Sequence, residues 1–154
     1  MRQSLAWVVR EEGEGTLVVF TGAIDESVRL ESLASQLSPR ATFDLGGVVR
    51  VTSEGVRRWV NFIRSIPEKE LSFIRCSLAT VTQMNLVAGF RAHATVRSFF
   101  APYGCEVTGK EELRLLTCEQ VPDPRSPPTF PCEGGVLELQ DIPERYFDFL
   151  LAER

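Results

Sequence analysis

Apolar and polar positions change their spacing several times along the chain, and each change marks a predicted element. Leu5 to Val9 is apolar and β-prone, Glu11 to Gly15 is polar with two glycines, and Thr16 to Thr21 is β-prone again. This pattern predicts two strands joined by a turn. Beyond Gly22 the spacing becomes helical: Ile24, Val28, Leu33 and Leu37 fall on one face, and Leu30 and Ala34 widen the stripe. Asp25 or Ser27 can cap this predicted helix, and Pro39 lies just past its end. "ATFDLGGVVRV" predicts a third strand, interrupted at Gly46-Gly47.

The stretch "VVRVTSEGVRRWVNFI" turns from strand to helix within four residues. Val56, Trp59, Val60, Ile63 and Ile66 recur at helical spacing, Arg57, Arg58, Asn61 and Arg64 take the opposite side, and Pro67 ends the pattern. "LSFIRCSL" predicts a fourth strand, and Thr80 to about Phe100 a further helix that Gly89 interrupts. Alternation of strands and helices up to residue 100 places the chain in the α/β class, with helices packed on a sheet. The pattern changes at Ala101-Pro102. Five of the nine prolines fall in residues 121 to 131, which predicts an extended loop. Short strands are expected at Leu113 to Thr117 and Val136 to Leu139, and "IPERYFDFLLAER" closes as a helix with Pro143 in its first turn. The expected division is therefore 1–101, an α/β domain, and 102–154, a small β-rich extension that ends in a helix and packs on it.

At the strand-to-helix junction, Ser53 is expected to cap the first turn of the helix, with Glu54 adding a favourable charge at the positive end of its dipole. The same geometry suits a phosphate on Ser53, with Arg50 and Arg57 within reach. Two stretches here resemble the STAS domain of bacterial anti-sigma factor antagonists. They are "FTGAIDES", with Gly22 and Asp25 ahead of the first helix, and "ATFDLGGVVRVTSEGV", similar to that family's "D-L-S-G-V" strand and "D-S-S/T-G-L" loop. The resemblance covers residues 5 to 100, about two-thirds of the chain. By position, Ser53 falls on the family's phosphoacceptor serine, Gly55 on its glycine and Val56 on its leucine. Thr52 stands where the family has aspartate, and Glu54 where it has a second hydroxyl residue, so the negative charge has crossed from one side of Ser53 to the other.

The resemblance implies a STAS-like mixed sheet and a partner-switch component. In the family, a serine kinase that is also an anti-sigma factor phosphorylates that serine, and phosphorylation releases the partner. The residues implied at the contact face are Asp25, Thr52, Glu54, Gly55, Arg57 and Arg58, beside the phosphoacceptor Ser53. Two further readings of the function stand beside it: a constitutive scaffold subunit of a larger assembly, and a small-molecule or metal-binding module.

Composition narrows these choices. The chain has 154 residues, 44% apolar and 25% charged, with a formal charge of −4. That balance lacks the basic footprint of a nucleic-acid binder. No apolar run approaches the roughly 20 residues of a membrane span. The opening residues become charged too early for a secretory signal, so a cytoplasmic protein with reduced thiols is expected. "FFAPYGCEVTG" and "PTFPCEGGVLEL" resemble the two knuckles of a zinc ribbon, each keeping one cysteine of the usual pair. Cys105, Cys118 and Cys132 are the candidate ligands. With one thiol per knuckle, neither zinc nor another cofactor is expected, and buried packing cysteines are the expected state. His93, the single histidine, falls on the predicted late helix. No nucleophile elbow, phosphate loop or dinucleotide fingerprint occurs, so no enzyme is expected.

Overall fold

The computed structural model describes residues 4–151. It is a mixed α/β protein with two sheets. The first has five strands: β1 (Ala6–Glu12), β2 (Gly15–Ile24), β3 (Arg40–Val51), β4 (Glu70–Ile74) and β5 (Thr95–Val96), ordered β1-β2-β3-β4-β5. β1 and β2 form an antiparallel hairpin in which Glu12 faces Gly15, and Gly13 turns the chain at φ 60°. β2, β3, β4 and β5 run parallel. The crossovers carry α1 (Glu31–Ala34), α2 (Ser53–Arg64) and α3 (Leu78–Leu86). The second sheet holds β6 (Ser98–Cys105), β7 (Glu111–Thr117), β8 (Phe130–Cys132) and β9 (Gly135–Leu139) in the order β7-β6-β9-β8. Two single turns close the chain, α4 (Pro143–Tyr146) and α5 (Asp148–Leu151).

Four expectations about the elements are corrected. The helix read over residues 24 to 37 is mostly not helical: β2 continues to Ile24, the chain turns at Asp25, and only Glu31–Ala34 coils. Its apolar residues Val28, Leu30, Leu33 and Leu37 are buried all the same. Asp25 Oδ1 accepts from the Ser27 amide at 2.9 Å and from its hydroxyl at 2.6 Å. Such local bonds hold the backbone in a turn that competes with a helix.

The helix read from Thr80 to Phe100 stops at Leu86. Ser77 caps its start, a 3-10 turn follows over Ala88–Phe90, and Ala92 at φ 46° reverses the chain. Thr95 and Val96 then join the sheet beside Ser72 and Phe73. Branched and aromatic side chains in this segment favour the pleated surface over a helix. The closing helix is likewise divided, at Phe147, whose backbone (φ −97°, ψ 15°) leaves the helical region. In β3, by contrast, Gly46-Gly47 does not interrupt the strand. Pairing with β2 shifts there, from Val19 opposite Asp44 to Thr21 opposite Gly47, which is a bulge rather than a gap. A Cβ on Gly47 would lie 2.6 Å from the Phe20 carbonyl oxygen, which explains the glycine.

One core runs through both sheets. Trp59 on α2 is fully buried among Phe20, Phe43, Phe62, Phe73 and Phe90, and its indole N–H donates to the Phe90 carbonyl at 3.0 Å. β6 starts at Ser98 and crosses the border expected at 101/102. Phe99 on β6 meets Phe147 and Phe149 edge-on, at 5.9 and 5.1 Å. Asn85 on α3 fastens the closing turns from both sides of its amide. Its Nδ2 donates to the Tyr146 carbonyl at 2.9 Å, and its Oδ1 accepts from the Phe149 amide at 2.8 Å.

The tail cysteines are also corrected. Cys105 and Cys132 are joined as a disulfide, with Cα atoms 6.1 Å apart, instead of standing as separate packing thiols. Cys105 ends β6 and Cys132 ends β8, so the bond spans the sheet across β9. Cys118 lies elsewhere, its thiol donating to the Val96 carbonyl at 3.0 Å. Among the described residues no group of three or more His, Cys, Asp or Glu side chains is placed to hold a metal ion.

Candidate functional site

The junction between β3 and α2 brings the two motif stretches together. The Thr52 amide donates to the Ile24 carbonyl at 3.0 Å, so the end of β3 is tied to the end of β2. Gly55 presses on the same place. A Cβ there would lie 2.0 Å from the Ile24 carbonyl oxygen and 2.8 Å from the Asp25 nitrogen. Only a residue without a side chain allows the first turn of α2 to sit this close to the β2 backbone.

The hydroxyls divide the remaining work, though not as the pattern predicts. Thr52, extended at φ −94° and ψ 167°, is the N-cap, and its Oγ1 accepts from the Gly55 amide at 3.1 Å. Ser53 is the first helical residue and does not cap. Its side chain is exposed and makes no hydrogen bond to any described residue. Replacing Thr52 by alanine should therefore lower stability by about 1 kcal/mol, and Ser53→Ala by only a few tenths. Urea unfolding of the two variants checks this; the reverse order would mean that Ser53 is the cap.

Asp25, expected on the contact face, is fully buried and shapes the turn beneath α2. Glu54 and Arg57 pair across one helical turn at 3.6 Å, both well exposed, a contact that contributes little to stability. Arg50 is exposed near the end of β3, before the junction. Arg58 is part-buried and faces a groove of about 520 Å³ between the α1 segment and α2. No signal in the sequence points to that groove, because its two walls come from separate crossovers.

The remaining chemistry-bearing groups lie away from the junction. His93 is exposed in the turn before β5, not on a helix. Burial pushes the Cys76 thiol and the Tyr146 hydroxyl far above their usual ranges, so both stay protonated. Tyr103 is raised by burial too, against a lowering influence of Arg114. It packs on Phe130, its hydroxyl donating to the Pro128 carbonyl. Among the described residues no helix is long and apolar enough to cross a membrane. Compared with protein families, curated proteins and solved structures, the chain matches none.

Proposed function

We propose that the protein is a non-catalytic regulator that acts by protein–protein contact through the first turn of α2, as a STAS-like partner-switch component. The observation that carries this reading is Ser53: an exposed hydroxyl on the first residue of a twelve-residue helix, released from capping by Thr52. A phosphate there would meet the positive end of the helix dipole and could draw Arg57 away from Glu54. The rigid backbone at Gly55 and Ile24 supports it, because a fixed platform converts one added charge into a definite change of surface. Further support comes from the convergence of the "FTGAIDES" and "VTSEGV" stretches at one end of the sheet. The partner would be a protein that is also a serine kinase of the anti-sigma type, met in the cytoplasm. In that reducing compartment the Cys105–Cys132 bond is under chemical attack, which concerns the tail and leaves the junction untouched.

The test is phosphopeptide mass spectrometry. The intact protein is incubated with ATP and lysate of its own cells, then digested, and the peptide VTSEGVR (residues 51–57) is examined. Phosphate on Ser53, absent from Ser53→Ala, is the expected result. An unmodified peptide beside a phosphorylated control protein would replace the switch with a constitutive scaffold.

A further inference from the structure

Arg58 differs from the other arginines of α2 in how its guanidinium is held. Its Nε is shielded from solvent and makes no hydrogen bond. No described carboxylate pairs with it either, whereas Arg57 beside it is engaged by Glu54 at 3.6 Å. Burying a donor without an acceptor costs about 1–3 kcal/mol, and more for a charged group. The arginine therefore gains from any acceptor that reaches it. A carboxylate matches a guanidinium edge best, since its two oxygens meet Nε and one Nη side by side. Arg58 itself lines the groove between the α1 segment and α2.

The groove itself limits what can bring the carboxylate. Its floor is apolar, formed by Val28, Leu30, Ala34 and Phe62. Its polar lining is Glu31, Glu54, Asn61 and Ser65 as well as the two arginines. Two rim carboxylates oppose a doubly charged phosphate. Its size, about 520 Å³, lies in the range of small-molecule sites.

We propose that this groove binds a small amphipathic monocarboxylate, with its charged end on Arg58 and its apolar body along Phe62 and Leu30. The assignment does not rest on the partner-switch reading: Ser53 can stay unmodified while the groove fills, and the reverse also holds.

The probe is octanoate, added to the full, isotope-labelled chain and followed by amide chemical shifts, with octan-1-ol and octyl phosphate in parallel. Octanoate should produce saturable shifts in residues 28–34 and 57–65. Octanol should bind at least about tenfold more weakly, equivalent to one charge-assisted hydrogen bond of roughly 1.4 kcal/mol. Octyl phosphate should also bind more weakly than octanoate. R58Q should bring octanoate to the level of octanol, R58K should retain part of the difference, and R64Q, on the same helix but outside the groove, should retain it all. Equal binding of octanoate and octanol, saturable shifts elsewhere, or none at all would overturn the proposal. Tighter binding of octyl phosphate would overturn the monocarboxylate assignment. If R58Q unfolds, the octanoate–octanol comparison on the unaltered protein decides.

Discussion

Gly55→Ala should lower the thermal unfolding midpoint by about 10 °C, the shift expected for a loss of about 3 kcal/mol in a domain of this length. The added methyl carbon would stand 2.0 Å from the Ile24 carbonyl oxygen and 2.4 Å from its carbon, both backbone atoms of β2 where it pairs with Val51 of β3. No side-chain rotation relieves such a contact. Either α2 must lift from the sheet or β2 must bend, and Trp59 on the same helix transmits the shift into the aromatic core. Helix propensity works the other way, favouring alanine by about 1 kcal/mol, and is outweighed. Gly13→Ala provides the control. That glycine has a left-handed backbone but nothing within 4 Å of a Cβ, so its substitution meets conformational strain alone. A midpoint for Gly55→Ala that matches the unaltered protein would show that the first turn of α2 is not seated on Ile24.

Opening the Cys105–Cys132 bond should lower stability by roughly 3–4 kcal/mol, from the entropy regained by a closed loop of this size. The two cysteines are 27 residues apart, and the chain between them includes β7 and the proline-rich loop. Beside the pairing of β6 and β8 with β9, side-chain contacts hold that end. The Tyr103 hydroxyl donates to the Pro128 carbonyl at 2.7 Å, the Phe130 ring meets Tyr103 at 5.3 Å, and the Arg114 guanidinium lies 4.0 Å from the Phe130 ring centre. Two measurements check this. Alkylation of the unfolded, unreduced protein should label Cys76 and Cys118 alone, and urea unfolding with and without reductant should show separate midpoints. Four labelled thiols would show that the bond does not form, and coincident midpoints that it does not stabilise the fold. Because Cys105→Ser with Cys132→Ser removes the bond without a reductant, that double variant should reproduce the lower midpoint.

The chain displays its burial more openly than its secondary structure. Val28, Leu30, Leu33 and Leu37 are apolar at helical intervals and are all buried, yet most of that segment is turn. A short crossover packed on a sheet needs apolar residues at similar intervals whether or not it coils, and the bonds between Asp25 and Ser27 decide the matter locally. The segment after Leu86 shows the opposite weakness. Thr95-Val96 is too short to display a period, and only its neighbour β4 makes it a strand. The hairpin and α2 were legible because each is long and strongly patterned.

At the junction, the pattern pointed to the right place and chose the wrong hydroxyl. Thr52 and Ser53 are adjacent, and either can cap; the bond from the Thr52 amide to Ile24 fixes which one enters the helix. The glycine was legible as a residue type, but its reason lies in a strand far away in sequence. The two ribbon-like stretches likewise marked where the tail cysteines sit, and their approach across β9 needs the folded sheet.

The fastening of the closing turns by Asn85 has a consequence for the order of synthesis. Strands β1 to β5 are neighbours in sequence as well as in space, so each can add to the sheet as it leaves the ribosome. Phe99 and the outer side of α3 cannot be covered until Tyr146 to Leu150 arrive. During that interval a finished first sheet would carry an open aromatic patch, with the still-unjoined Cys105 waiting for Cys132. A nascent chain halted near residue 120 should therefore be a better client for a trigger-type chaperone than one halted near residue 60 or one extended past residue 150.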